Sequence, residues 1–208
     1  MNTDGQQTPA TTYVGGADSA SRATVVVRPI TEADYAAVAE LTEAAYVRGG
    51  HVPPEDAYLP KLRDVATRAA EAEVLVAEIE VDGHPRVAGS VVLAPHGNRW
   101  AEVARPGEFE FRMLAVHPDL HRRGVARALL EAVIDRARLT EGVHAVVLTT
   151  MPSMAGAFQL YDSYGFERVD SRMWKLSDVL PGLPAEQDKG PFLVLRLELE
   201  RESVEGDA

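Results

Sequence analysis

Residues 108–137 constrain the fold more than any other part of this sequence. They begin with a strand-like run, turn at a Pro-Asp pair, and pass through a basic loop around Gly124 into a long periodic segment. Apolar residues recur on one face of that segment, at Val125, Leu129, Leu130, Val133, Ile134 and Ala137. That spacing predicts an amphipathic helix packed on a sheet, so the stretch indicates a protein of mixed α/β class.

The junction between this strand and this helix also predicts an anion-binding site. The first backbone N–H groups of a helix have no helical partner, and the helix dipole adds positive charge there. Arg122, Arg123 and Arg127 surround the point, although the chain carries a net charge of −11. Gly124 lets an anion approach the backbone closely. A solvated basic face on the helix is the alternative explanation.

The rest of the chain predicts one domain at residues 24–200, between a disordered tail at 1–23 and an acidic tail at 201–208. Strands are predicted near 24–28, 74–80, 87–93, 108–116, 144–151 and 192–199. Helices are predicted near 31–46, 57–70, 123–139 and 154–164. Thr31 and Asp34 have the spacing of a capping box at the first helix.

Composition narrows the functional class. The 208 residues are 46% hydrophobic and include no cysteine, which indicates a globular domain without a thiolate nucleophile. The acidic balance argues against nucleic-acid binding, and no third ligand accompanies His117 and His121, so no metal site is expected. Without a signal peptide or a long apolar run, we expect a cytoplasmic protein that does not bind a membrane. A homodimer is left open.

A short motif lies within the basic loop. Residues 121–126 read His-Arg-Arg-Gly-Val-Ala, which resembles the Gln/Arg-x-x-Gly-x-Gly/Ala cofactor motif of the GNAT acetyltransferase superfamily. The sequence departs from that motif at its first position, where His121 stands. The loop is neither a Walker motif nor a dinucleotide-binding fingerprint.

A second motif strengthens the resemblance. Residues 157–169, AFQLYDSYGFERV, are similar to the A-x-x-L-Y-x-x-x-G-F signature of the same family. Its five defined positions are all present, as Ala157, Leu160, Tyr161, Gly165 and Phe166. The asparagine often found three residues before the alanine is Met154 here, which removes one expected contact with the pantetheine arm of the cofactor.

The resemblance implies a fold and a cofactor. The family has a mostly antiparallel central sheet with flanking helices, in which two parallel strands splay apart; here these are 108–116 and 144–151, expected to part after Leu114. The pantetheine arm of acetyl-CoA then enters the gap, and the phosphates lie at the basic loop. The residues implied in cofactor binding are Leu114, Ala115, Val116, His121, Arg122, Arg123, Gly124, Val125, Ala126 and Arg127.

The resemblance also implies direct transfer of an acetyl group to a primary amine. Tyr161 occupies the usual general-acid position. Glu110 is the first candidate for the general base and Glu108 the second; a water chain, or a carboxylate that only lines a solvated cleft, is the alternative.

The acceptor is left open between a small amine and a protein amine. Tyr46, His51, Trp100 and Trp174 are candidates for lining its site. A non-catalytic acyl-CoA sensor on the same fold is the alternative function, and a nucleotide-binding module is a weaker one because it leaves the second motif unexplained.

Overall fold

The computed structural model describes residues 10–14, 24–179, 182, 188 and 190–200. Over these residues the chain forms an eight-stranded sheet with helices on both faces. The strands are β1 (Thr11–Val14), β2 (Thr24–Pro29), β3 (Glu73–Val81), β4 (His84–Pro95), β5 (Glu108–Val116), β6 (Ala145–Thr150), β7 (Glu167–Arg168) and β8 (Leu193–Glu198). The helices are α1 (Tyr35–Arg48), α2 (Leu59–Arg63), α3 (Val65–Glu71), α4 (Val125–Arg138), α5 (Ala155–Asp162) and α6 (Leu176–Val179).

The strand order is β1-β2-β3-β4-β5-β6-β8-β7. Only β5 and β6 run parallel, and every other neighbouring pair is antiparallel. Helix α4 supplies the crossover between the two parallel strands. The prediction of a mixed, mostly antiparallel sheet with one parallel pair and flanking helices is therefore confirmed.

The two faces of the sheet are covered by different helices. Along β3, Leu75, Ala77 and Ile79 share a core cluster with α4, whereas Val74 and Val76 pack in the clusters of α1–α3. Side chains of a strand alternate between its faces, so a strand covered on both sides is apolar throughout. The unbroken apolar run over residues 74–77 of β3 has this cause.

Close packing of α4 on the sheet depends on Gly89 of β4. A Cβ atom at this position would lie 2.8 Å from the Cγ1 atom of Val125 and 2.8 Å from the carbonyl oxygen of Ala115. Real Cβ atoms do not approach so closely. Gly89 thus lets the N-terminal part of α4 lie directly against β4.

Helix α1 begins slightly later than predicted. A 3-10 turn, Glu32–Asp34, precedes it, and the Asp34 carboxylate accepts a 2.8 Å hydrogen bond from the backbone N–H of Thr31. The same carboxylate forms a 2.7 Å ion pair with Arg28. The predicted capping residues therefore fix the entry to α1.

The helix predicted over 57–70 was wrong as a single element. The backbone leaves the helical region at Asp64, where ψ is 72°, and the chain forms α2 and α3 instead. The Asp64 side chain accepts a 3.2 Å hydrogen bond from the backbone N–H of Thr67. A short acidic side chain stabilises such a break because it caps the next helix.

The N-terminal prediction was wrong for residues 11–14, which form β1. This strand pairs antiparallel with β2, from Thr11 opposite Val27 to Val14 opposite Thr24. The Tyr13 hydroxyl donates a 3.1 Å hydrogen bond to Asp135 of α4. Apart from residues 10–14, both predicted tails lie outside the described residues. In the described part of the chain, no helix is long and apolar enough to cross a membrane.

Candidate active site

The two parallel strands separate early in β5. Their pairing covers only Glu108–Glu110 of β5, opposite Ala145–Val147 of β6, although β5 continues to Val116. The predicted separation after Leu114 was therefore four residues too late.

A distortion in β5 accompanies the separation. The register of β4 and β5 shifts between Ser90 and Val92, and Met113 on β5 has a φ of 50°. Such a bulge bends its strand, and bulges are common beside active sites. Positive φ is uncommon for a non-glycine residue and marks local strain.

The separated strands enclose a cleft of about 660 Å³, a size that suits a small ligand. Residues 111–116 of β5 and 148–150 of β6 line it without interruption. Because side chains of a strand alternate between faces, consecutive residues can line one opening only along the edge of the strand. The cleft is therefore walled by strand edges whose backbone groups are available to a ligand.

The N-terminus of α4 lies at one end of this cleft. Gly124 is the N-cap with a φ of 84° and no side-chain cap, and Arg122 before it has a φ of 63°. The first N–H groups of the helix are left without helical partners, and residues 124–127 line the cleft. Two left-handed residues beside a helix N-terminus form a loop that can surround an anion with N–H groups.

Not all of the predicted basic residues line the cleft at this end. Arg122 and Arg127 line the cleft, and Arg123 is not among the lining residues. Arg127 also donates a 3.1 Å hydrogen bond to the Tyr164 hydroxyl. His121 lines the cleft, but its Nε2 atom lies 3.2 Å from the carbonyl oxygen of Val116, so the ring faces the end of β5.

Tyr161 lies at the wall of the same cleft, on α5. Its ring is 6% exposed and packs on Phe111 and Phe166, at centroid distances of 5.9 and 5.7 Å. No described group forms a hydrogen bond with its hydroxyl. Burial raises the pKa of Tyr161, and the nearby Tyr46 raises it further. The hydroxyl therefore stays protonated at neutral pH, as a proton donor must.

Glu110, the first predicted base, does not reach the cleft. Its side chain is 0% exposed, and its Oε2 atom accepts hydrogen bonds of 2.9, 2.8 and 2.9 Å from the backbone N–H groups of Glu102, Val103 and Ala104. Burial raises the pKa of Glu110, and these N–H groups oppose that shift. The carboxylate instead anchors the loop between β4 and β5.

Glu108 is also engaged elsewhere. It is 5% exposed, forms ion pairs of 2.8 Å with Arg172 and 3.1 Å with Arg196, and accepts a 2.9 Å hydrogen bond from the backbone N–H of Arg105. Burial opposes ionisation, but these partners outweigh it and hold the pKa of Glu108 below its usual value. Glu108 ties β5 to β8 and to the turn after β7, and it does not line the cleft.

Two of the four candidates for the acceptor site line the cleft, and two do not. Tyr46 and His51 line the cleft. Trp100 does not; it is 8% exposed and donates a 3.0 Å hydrogen bond to Glu71. Trp174 stacks on Phe192 with ring centroids 4.4 Å apart, also outside the cleft. Each tryptophan is a packing residue.

Five polar residues of the cleft were not predicted: Arg112, Thr149, Thr150, Ser153 and Gln159. The Oγ1 atom of Thr149 is buried and has no hydrogen-bond partner. Thr149 follows the apolar run AVVL of β6, the strand on one side of the predicted gap. Its position at the end of that run is the sequence signal that could have indicated it. Across the described ranges, no group of three or more His, Cys, Asp or Glu side chains is placed to hold a metal ion.

Comparison with known proteins identifies the class. The model of the acetyltransferase (GNAT) family matches residues 35–166, which is more than half of the chain. The chain belongs to this family, and the predicted resemblance is confirmed.

Individual relatives are more distant. A ribosomal protein bS18-alanine N-acetyltransferase from Salmonella typhimurium is 44% identical over 59 residues, which are 28% of this chain and 39% of the relative. The match thus spans well under half the length of that curated relative.

Two solved structures share the fold. The ribosomal-protein-alanine N-acetyltransferase from Brucella melitensis is 25% identical, with a TM-score of 0.58 over 83% of this chain and 99% of that one. A GNAT family acetyltransferase from Elizabethkingia anophelis with acetyl-CoA bound is 20% identical, with a TM-score of 0.52 over 84% of this chain and 98% of that one.

Proposed function

We propose that this chain is an acetyl-CoA-dependent N-acetyltransferase that acetylates a primary amine. The cleft carries the proposal, because it joins three features in one opening. These are the basic N-terminus of α4, the free edges of β5 and β6, and the Tyr161 hydroxyl. They suit, in turn, a pyrophosphate, an arm that contains amide groups, and a thiol leaving group.

The residues present fit acetyl-CoA. Arg122, Arg127 and the first N–H groups of α4 would hold its phosphates. Its pantetheine arm carries two amides, which suit the unpaired backbone edges beyond Glu110, and the unpartnered Oγ1 atom of Thr149 offers a further polar contact. When bound, acetyl-CoA supplies an acetyl group activated as a thioester.

Tyr161 supports catalysis rather than binding alone. Its ring is held by packing on Phe111 and Phe166, its hydroxyl stays protonated, and the residue lines the cleft. We propose that it donates to the sulfur as the thiolate departs. A protein that only senses acyl-CoA needs no proton donor at that place.

The acceptor class is proposed from chemistry and from relatives. Both the Salmonella and the Brucella proteins are described as acetyltransferases of ribosomal-protein alanine. Alanine has no side-chain amine, so such an acceptor presents its α-amine. A peptide that begins with alanine is therefore the first acceptor to test, followed by lysine and small amines. A cytoplasmic location and a homodimer stay predictions.

The test is release of coenzyme A thiol from acetyl-CoA against this panel of amines, with the acetylated product identified by mass spectrometry. We expect thiol release that depends on one class of amine and forms product in equal amount. Calorimetry without an acceptor measures acetyl-CoA binding separately. Binding without turnover on any amine would favour the acyl-CoA sensor.

Competition separates the third alternative. A nucleotide-binding module would bind ATP at the basic loop, and added ATP would displace acetyl-CoA from it. We expect ATP to compete weakly, because it shares the phosphates but lacks the pantetheine arm that the strand edges accept. Stronger binding of ATP than of coenzyme A would contradict the proposal.

A further inference from the structure

An amine acceptor of the proposed reaction must lose a proton before it attacks. An α-amine has a pKa of about 8, so at neutral pH it is mostly an ammonium group without a lone pair. Both carboxylates predicted as the base are engaged elsewhere in the fold. The described residues that line the cleft include no Asp or Glu, and their titratable groups are Tyr46, His51, Arg112, His121, Arg122, Arg127 and Tyr161.

Histidine is the side chain whose charge ordinarily changes near neutral pH, and the two histidines of the cleft lie in different places. His121 is in the basic loop, with its Nε2 atom directed at Val116. His51 lies in the segment between α1 and α2, next to Tyr46, with ring centroids 6.4 Å apart. Its ring contacts Ser153, in the loop that leads into α5, the helix that carries Tyr161. His51 is therefore the histidine at the Tyr161 end.

The His51 ring reaches across the mouth of the cleft. Its Nδ1 atom lies 3.5 Å from the Oγ atom of Ser153, in the loop between β6 and α5. Its Nε2 atom lies over Gly49, where an added Cβ would be 2.8 Å away. Nδ1 is thus the ring nitrogen on the side of Ser153, a residue that also lines the cleft, and its contact of 3.5 Å is at the long limit of a hydrogen bond.

The surroundings of His51 keep the ring neutral. Burial lowers the pKa of His51 below its usual value. The groups that face it are Tyr46 from α1 and Ser153 from the opposite loop, neither of them charged at neutral pH. Arg48 lies three residues before His51 in the sequence, and its positive charge is paired with Asp119 at 2.6 Å.

We propose that His51 is the catalytic base of the amine acetylation proposed above, on which this inference rests. Nδ1 of His51 takes one proton from the acceptor ammonium. The amine lone pair then forms the C–N bond as the thioester C–S bond breaks, and the sulfur takes the Tyr161 proton. The second proton of the nitrogen restores the Tyr161 hydroxyl, and His51 releases its proton to solvent.

The test is a pH profile of kcat/KM, from about pH 5.5 to about 9.5, with the best amine of the panel, beginning with an alanyl peptide. In the wild type we expect the acid limb below pH 6.5, at the pKa of His51. In His51→Gln the limb moves to about pH 8, because only amine that is already deprotonated reacts. The loss is about 30-fold at pH 6.5, where about 3% of such an amine is free, and it disappears near pH 9.

A structural role would lower the rate equally at every pH, so the convergence at high pH is diagnostic. His84→Gln, at the exposed start of β4, is the matched control and should retain the wild-type profile. A readout without acetyl-CoA is NMR titration of the His51 ring, whose pKa should agree with the wild-type limb. Imidazole added to His51→Ala should restore rate at pH 6.5.

Two failures are distinguishable. If no amine in the panel is acetylated, the proposed function fails and the base assignment fails with it. If an amine is acetylated and the His51→Gln profile overlays the wild type, only the base assignment fails. An NMR pKa for His51 that lies away from the acid limb would also overturn it.

Discussion

Replacing Glu110 by alanine removes one oxygen atom that three backbone N–H groups share. Those groups belong to residues 102–104, and all three hydrogen bonds are 2.9 Å or shorter. Each is worth about 0.5–1.5 kcal/mol net. The loop is partly exposed, so water replaces part of the loss, and we expect Glu110→Ala to reduce the free energy of unfolding by about 2–3 kcal/mol. For a chain of this size that lowers Tm by about 4–12 °C.

Glu110→Gln separates the hydrogen bonds from the charge. Glutamine keeps an acceptor oxygen of the same shape, so we expect a change within about 1 kcal/mol. Burial raises the pKa of Glu110 in the folded protein, and the folded state then binds the proton more tightly than the unfolded state. Wild-type stability is therefore full below the usual carboxyl pKa of about 4.3 and falls as pH rises through the raised one. Because glutamine does not titrate, the free energy of unfolding of Glu110→Gln should rise relative to that of the wild type as pH increases through this range.

The assay is urea unfolding of both variants and the wild type, at about pH 4.5 and about pH 8. Glu80→Gln, at the exposed end of β3, is the control and should change stability by less than about 0.5 kcal/mol. Equal losses for alanine and glutamine would refute the hydrogen-bond account. The acid limb of kcat/KM should be the same in Glu110→Gln as in the wild type, and its loss would return Glu110 to the role of base.

Further variants test the cofactor end and the acid. Gly124→Val should weaken acetyl-CoA binding at least about 10-fold by calorimetry, whereas Gly142→Val, also at a positive φ but in open space, should leave binding unchanged; equal effects would point to backbone strain alone. Arg122→Ala should lose about 1.5–3 kcal/mol of binding free energy, the worth of a charge-assisted hydrogen bond, and Arg123→Ala much less; the reverse order would contradict the cleft. Tyr161→Phe should lower kcat by roughly 10²–10⁴-fold with little change in acetyl-CoA affinity. Unchanged turnover would make Tyr161 a packing residue.

Much of the fold could be predicted because its signals are local. The strand at 108–116 was predicted with the bounds that it has, and α4 was placed within two residues, since its apolar face repeats with the helical period. Strand β1 could not be predicted in this way. It consists of four residues and exists through its pairing with β2, a non-local contact that no pattern within residues 11–14 reveals.

The features of the candidate site that depend on local backbone structure could be predicted from the sequence. A helix N-terminus after a strand, with Gly124 as its cap, is a local arrangement, so the sequence could predict the helix start and the basic loop that the structure has at one end of the cleft. Arg122 and Arg123 are adjacent and equivalent in the sequence. Only the left-handed backbone at Arg122, set by the turn into α4, decides that the first lines the cleft and the second does not.

The family could be predicted from motif spacing and hydrophobic period, which are local properties of the chain, and the resemblance to it implied the parallel strand pair and the position of Tyr161. Which side chains line the cleft depends instead on contacts between distant parts of the chain. Glu110 has the position along β5 that the alternation of side chains predicts. The loop after β4 nevertheless covers it, and three N–H groups of that loop donate hydrogen bonds to its carboxylate. His51, in a loop with no local signal, reaches the cleft because α1 and the loop after β6 approach one another there. A side chain's chemistry is local, but what buries it and what it meets come from distant parts of the chain.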